Sequence, residues 1–187
     1  MKKVVLLGDS IRLCGYGKSV AEMLERDGYT VWQPDENSRF CQFTLRQLFD
    51  RAADIKGSDV VHFNAGAWDI CELFDDGPFT DIETYISTMR RIVKVLKNLG
   101  VKKVIFATTT PVRAESNHNN NDVVKKYNDT IVPILVSDGC AINDLYSLVN
   151  ADIYRYVCDD TIHLSDEGTA LCAKATYDCI IKEIDDI

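Results

Sequence analysis

The sequence predicts an α/β protein: a flavodoxin-like three-layer sandwich, with a five-stranded parallel sheet and helices on both faces. Three observations predict it. Short apolar runs alternate with longer stretches of helical periodicity. The runs are almost continuously apolar rather than apolar at every second position, as suits strands covered on both sides. Each run gives way to Gly, Pro, Asn or Thr, residues that turn a strand toward a helix.

The strands are read at Val4 to Leu7, Tyr29 to Trp32, Asp59 to Phe63, Val104 to Ala107 and, most weakly, Cys140 to Ile142. The clearest helix is Asp81 to Leu99. Ile82, Tyr85, Ile86, Met89, Ile92, Val93, Leu96 and Leu99 form one apolar stripe at i, i+3, i+4, i+7 spacing. Thr80 with Glu83 offers a capping box, and Gly100 stands where a terminating glycine belongs. Further helices are expected over Ser19 to Arg26, Leu45 to Ala53 and Asp122 to Val136, the last kinked or ended by Pro133. A final helix follows Ser165 and runs to about Ile184, with Cys172, Ala175, Thr176 and Cys179 on one face.

With 187 residues and no Pro/Gly/Ser-rich linker, the chain reads as a single domain over 1–187. The formal net charge of −8 argues against nucleic-acid partners and against anionic membrane surfaces, both of which call for basic patches. No apolar run approaches a membrane span, and the run after Lys3 is too short for a secretion signal. The expected location is therefore cytoplasmic. The seven cysteines are scattered, with no C-x-x-C pair, so buried thiols are expected rather than a zinc site or a disulfide framework. Asn117 to Asn121 reads as an exposed loop, and Glu72, Asp75 and Asp76 as a solvated acidic one.

In sheets of this kind ligands bind beyond the carboxyl ends of the strands. Three sets of residues fall there. Gly8-Asp9-Ser10-Ile11 follows the first strand. A serine at a tight turn into a helix exposes its hydroxyl, and its own N–H has no partner in the helix, so it offers a nucleophile with a built-in oxyanion donor. Taken alone the serine reads better as a helix cap. Asn64-Ala65-Gly66-Ala67-Trp68-Asp69 follows the third strand and brings a side-chain amide. Asp160-Thr161-Ile162-His163 precedes the last helix, and its three-residue offset lets the carboxylate reach the imidazole within one loop. His62 lies inside a strand and reads as a core histidine; His118 lies in the Asn-rich loop. Each set is weak by itself. Their fall on one sheet edge makes the case.

These blocks resemble those of the SGNH/GDSL hydrolases. Gly8-Asp9-Ser10-Ile11 matches that family's first block, and Asp160-Thr161-Ile162-His163-Leu164-Ser165-Asp166-Glu167-Gly168 is similar to its last. The resemblance implies Ser10 as nucleophile, His163 as general base and Asp160 as the group that orients it. It implies an oxyanion hole from the N–H of Ser10, a second backbone N–H and a side-chain amide. Ser38, in Asn37-Ser38-Arg39-Phe40, takes the place of the family's second-block glycine, and Asn64 is chosen for the amide. The family's third block is usually Gly-x-Asn-Asp, so Asn64 is offset from that spacing, and a second alignment puts Gly66 in the slot. Arg39, Trp68 and Arg113 are candidates to line the substrate pocket.

The expected activity is a serine esterase or acylhydrolase acting through an acyl-enzyme on short acyl esters of a small soluble substrate, an acetylated sugar among them. No metal or organic cofactor is expected. The chain has no long apolar insertion to serve as a lid at an oil surface. Two other readings stay open: a non-catalytic ester- or small-ligand-binding module on the same fold, and an acyltransferase using the same serine. The absence of a Gly-rich phosphate loop after Leu7 counts against the first. The sequence does not set the oligomeric state.

Overall fold

A computed structural model describes residues 1–187. Five parallel strands, β1 (Lys3–Leu7), β2 (Thr30–Trp32), β3 (Val60–Asn64), β4 (Lys103–Ala107) and β5 (Ala141–Asn143), form one sheet in the order β2-β1-β3-β4-β5. The principal helices are α1 (Gly17–Arg26), α2 (Cys41–Asp50), α3 (Ala52–Ile55), α4 (Ile82–Asn98), α5 (Asn121–Ser137), α6 (Leu145–Asn150), α7 (Ile153–Tyr156) and α8 (Asp166–Asp185).

The continuous apolar strands divide their side chains between two cores. Val5, Leu7, Val61, Phe63, Val104 and Phe106 face α2, α4 and α5. Val4, Leu6, Val60, Ile105 and Ala107 face α1, α6 and α8. The period-2 alternation of a strand does this, and burial on both faces explains why the runs are almost continuously apolar, with His62 the exception. No helix is long and apolar enough to cross a membrane.

Several element boundaries differ from expectation for local reasons. The chain turns helical at once after Ser10, through a π-helical segment Ile11–Tyr16 broken at Gly15, rather than at Ser19. The two glycines at 15 and 17 hide this helical stretch from a propensity reading. Helix α4 is capped by Asp81, whose side chain accepts the Thr84 N–H at 3.0 Å, and not by Thr80. Gly100 does terminate it, at φ +80°. Pro133 does not end α5, which continues to Ser137. The carbonyl deprived of its donor is that of Asp129, and both residues lie on the exposed side of the helix. The buried stripe of α8 runs through Gly168, Cys172, Thr176, Ile180 and Ile184, so Ala175 and Cys179 sit at its margin.

Beneath the carboxyl edge of the sheet lies a layer of buried polar side chains that ties the loops together. Arg12, 1% exposed, donates from its guanidinium to the carbonyls of Pro34, Glu36 and Gly8. The Tyr16 hydroxyl donates to Asn64 Oδ1 at 3.2 Å, and a Cβ at Gly8 would fall 1.9 Å from that same oxygen. Asn143 Nδ2 donates to His62 Nε2 at 3.1 Å and to Thr176 Oγ1 at 2.9 Å, which makes His62 a neutral imidazole in the core. Burial pushes the His62 pKa down to about 3.

Asp9 is fully buried, with Oδ1 accepting the Ile11 N–H at 2.9 Å and Oδ2 unpartnered. Burial raises its pKa to about 6, against the Asn64 amide and the Ile11 N–H, which favour the carboxylate. The folded state therefore holds a proton that the unfolded chain releases near pH 4. Stability relative to an Asp9→Asn variant should fall by on the order of 2–3 kcal/mol as pH rises from about 4 to about 6, then level off. Urea midpoints for the two proteins across that window check this. A second expectation concerns Gly168, where a Cβ would lie 2.1 Å from the Tyr156 carbonyl oxygen. Gly168→Ala should cost about 1–3 kcal/mol, read as a lower urea midpoint.

Candidate active site

The first functional element is the turn after β1. Gly8 lacks a side chain because the Asn64 amide occupies the space a Cβ would need. Asp9 closes the turn through the Ile11 N–H, and the Asp9 carbonyl accepts the Leu13 N–H at 2.9 Å. Ser10 thus stands at the mouth of a helical segment, its N–H preceding the first turn and its hydroxyl above the sheet edge.

The second element is the 157–165 segment between α7 and α8. Asp160 holds it in shape: Oδ1 accepts the N–H groups of Ile162 at 3.0 Å and His163 at 2.9 Å. Its other oxygen, Oδ2, accepts from His163 Nδ1 at 2.8 Å. One carboxylate therefore sets both the loop and the ring, which is the physical content of the Asp-x-x-His spacing. Burial works to raise the Asp160 pKa, but the two backbone N–H groups and the His163 ring outweigh it and hold the carboxyl below its usual range. Thr161 takes φ +76°, a costly value for a β-branched residue, so that the chain can wrap around the carboxylate. The His163 carbonyl accepts the Cys158 N–H at 2.7 Å, and Ser165 caps α8 while donating to the Arg155 carbonyl at 2.7 Å.

The two elements meet. His163 Nε2 lies 2.8 Å from Ser10 Oγ, so hydroxyl, imidazole and carboxylate form one hydrogen-bonded line. In that line the ring carries its proton on Nδ1, toward Asp160, and Nε2 accepts from the serine.

The remaining residues anticipated from sequence are placed differently. The Ser38 N–H donates to the Gly8 carbonyl at 3.0 Å, so it is not free to hold an oxyanion. The Ser38 hydroxyl accepts the Gly8 N–H at 3.1 Å and donates to Gln47, pinning the 37–41 segment against the serine turn. Arg39, one residue on, is the one at φ +51°, the geometry in which glycine is usual. Its N–H donates to Asn37 Oδ1 at 2.7 Å in an accessible turn. The Arg39 guanidinium lies over the Phe43 ring, 4.8 Å from its centroid, and not along the cleft beside Ser10. Asn64 is buried beside the serine turn, where its Oδ1 accepts from the Tyr16 hydroxyl. Arg113 is likewise committed elsewhere. Its Nε donates to the Val157 carbonyl at 2.9 Å, Nη1 to Asp159 at 2.7 Å, and its backbone N–H to the Thr161 carbonyl at 2.9 Å. It clamps the loop that carries Asp160 and His163.

Trp68 does line the cleft, together with Ser10 and His163. It stands in the loop that follows β3, past Asn64 and Gly66. Asp69 is buried, and both its carboxylate oxygens lie within 3.1 Å of the Cys41 N–H. The cleft also takes Phe40, Leu73, Phe79, Asn119 and Ile162, none of which composition or spacing singled out. One signal was available. The connection from β3 to α4 is 17 residues long, and loops of that length inside compact domains are usually functional. No group of three or more His, Cys, Asp or Glu side chains is placed to hold a metal ion.

No protein-family model matches the chain. It is 25% identical over 178 residues to the GDSL esterase/lipase WDL1 of Oryza sativa subsp. japonica, covering 84% of this chain and 67% of that protein. Among solved structures, the acetyl xylan esterase AlAXEase superposes with TM-score 0.80 at 18% identity, over 95% of this chain and 99% of the other. A lipase/acylhydrolase from Enterococcus faecalis gives 0.80 at 19%, over 96% and 95%. Axe2, an acetylxylan esterase from Geobacillus stearothermophilus, gives 0.74 at 19%, over 98% and 94%. The structural likenesses show the fold, and the rice GDSL esterase/lipase adds a sequence likeness over most of the chain.

Proposed function

We propose that the chain hydrolyses short acyl esters through an acyl-enzyme on Ser10. The observation that carries this reading is the line from Ser10 Oγ through His163 to Asp160, with 2.8 Å at each step. Ser10 Oγ attacks the ester carbonyl and its proton passes to His163 Nε2. Asp160 keeps the other ring proton on Nδ1 and stabilises the imidazolium. The tetrahedral intermediate collapses as His163 Nε2 returns its proton to the departing alcohol oxygen. Water, deprotonated by the same nitrogen, then attacks the acyl-serine; the acid leaves and the serine recovers its proton. The steps draw on these side chains and water alone.

The developing oxyanion needs N–H donors aimed at it before the reaction begins. The Ser10 N–H is one. For the second, Arg39 replaces Ser38 in our reading: its backbone is in the glycine-like conformation beside the pinned serine turn, and its N–H holds only an accessible side chain that the oxyanion can displace. Asn64 acts beneath the site, as the support of Gly8. The acetyl xylan esterases among the structural neighbours bring forward an acetylated saccharide as substrate.

Ser10→Ala should lower kcat on a p-nitrophenyl ester at least about a thousandfold while the far-ultraviolet circular dichroism and thermal midpoint stay near wild type. Turnover within tenfold of wild type would exclude Ser10 as nucleophile. Arg113→Ala tests the loop clamp. With the Asp160–His163 segment loosened, kcat should fall about ten- to a hundredfold with KM within about threefold, and Arg113→Lys should recover little of it, since one ammonium cannot reach both the Val157 carbonyl and Asp159. An unchanged kcat in Arg113→Ala would remove that role.

A further inference from the structure

Resting on the serine-esterase reading above, we propose that the cleft beside Ser10 is an acyl-chain pocket, and that the enzyme prefers straight-chain acyl groups of about four to eight carbons to acetyl. The cleft encloses about 480 Å³, within the roughly 300–1,000 Å³ typical of sites that take whole organic ligands. Its walls are Phe40, Trp68, Leu73, Phe79 and Ile162. Trp68, Leu73 and Phe79 are each between 42% and 48% exposed, an apolar surface open to water around a nucleophile.

The polar groups in the cleft are already occupied. Ser10 and His163 hold each other. Asn119 Nδ2 donates to the Ala67 carbonyl at 2.9 Å, and its Oδ1 accepts the Cys71 S–H at 3.3 Å. No Asp, Glu, Lys or Arg side chain lines the space. A saccharide brings many hydroxyls that must exchange water for protein partners, and here it would find few; an alkyl chain asks for none.

Reaction geometry assigns the chain to the acid side of the ester. The leaving oxygen must take its proton from His163 Nε2, so the alcohol lies on the side of the 160–163 loop. In this assignment the acyl substituent takes the wall of Phe40, Trp68, Leu73 and Phe79, and Ile162, on the loop itself, borders the alcohol side. This wall is held in place without a ligand. Phe79 N–H donates to the Cys71 carbonyl, Thr80 N–H to the Asp69 carbonyl and Glu72 N–H to the His118 carbonyl, each at 2.8 Å. The Phe40 and Phe79 rings pack with centroids 5.2 Å apart. A preformed apolar wall loses little freedom when a chain enters it.

The experiment is a substrate ladder with the whole chain: p-nitrophenyl acetate, butyrate, hexanoate and octanoate, an acetylated xylo-oligosaccharide, and the isomeric pair ethyl hexanoate and hexyl acetate. A methylene moved from water into an apolar site is worth at most about fourfold in kcat/KM, so the expected rise is about two- to fourfold per methylene from acetate to hexanoate. Ethyl hexanoate should outrun hexyl acetate. Leu73→Gln should lower the hexanoate-to-acetate ratio at least threefold, and Leu73→Met should keep it. A ladder that is flat or highest at acetate, or a kcat/KM on the acetylated saccharide above that on hexanoate, overturns the acyl-chain pocket and leaves the esterase standing. Faster hexyl acetate overturns the assignment to the acid side. If no ester is turned over at all, the Ser10 reading fails with it.

Discussion

A hydrogen bond of 2.8 Å joins the Ser10 hydroxyl to the His163 ring across 153 positions of chain, and the parallel sheet is what makes that long separation short in space. In a doubly wound fold every strand delivers its following loop to the same edge. The loop after β1 supplies the serine there, and the segment leading into α8 supplies the imidazole. Neither local sequence has a reason to hold its functional side chain in place without the other parts of that edge. Asp160 contributes most directly, because its two oxygens fix the backbone of its own turn and the orientation of the ring together. Arg113, arriving from the β4 side, fastens the same turn from outside.

Under the reacting groups the protein has placed polar side chains where a purely apolar core would be cheaper. Arg12, Asp9, Asn64, Tyr16 and His62 are all nearly or wholly buried. Buried polar groups cost stability unless they are paired, and Asp9 Oδ2 is not paired. What this layer gives in return is position: three loops from β1, β2 and β3 are tied by hydrogen bonds whose geometry tolerates little sliding. A rigid floor of this kind matters for a nucleophile, where small misplacement weakens catalysis steeply.

Much of this was legible in the residues. Continuous apolar runs gave the strands and, through their burial on both faces, the three layers. Asp160 and His163 were legible because a loop spacing of three suffices to join them, and Ser10 because a Gly-Asp-Ser turn has a strict backbone meaning. The place of the Ser38 N–H was not: it is held by the Gly8 carbonyl from thirty positions away, while Arg39 takes the positive φ. Asn64 attracted attention as an amide at a strand end, yet its role is set by Gly8, whose missing Cβ lets it tuck beneath the turn. Arg113 looked like a pocket residue because it is charged and lies in a loop; the carbonyls it serves come from a segment more than forty positions later. The apolar wall was invisible for a similar reason, since Phe40 and Phe79 meet only after folding. Pairings close in sequence can be read from spacing, while those made by topology need the fold.

Reaction with a fluorophosphonate followed by peptide mass spectrometry asks whether Ser10 is a nucleophile activated by His163. A single stoichiometric adduct is expected on the peptide containing Ser10, formed in the wild type and slowed at least a hundredfold in His163→Ala. An adduct on a different residue, or labelling of Ser10 that proceeds equally fast without the imidazole, would contradict it.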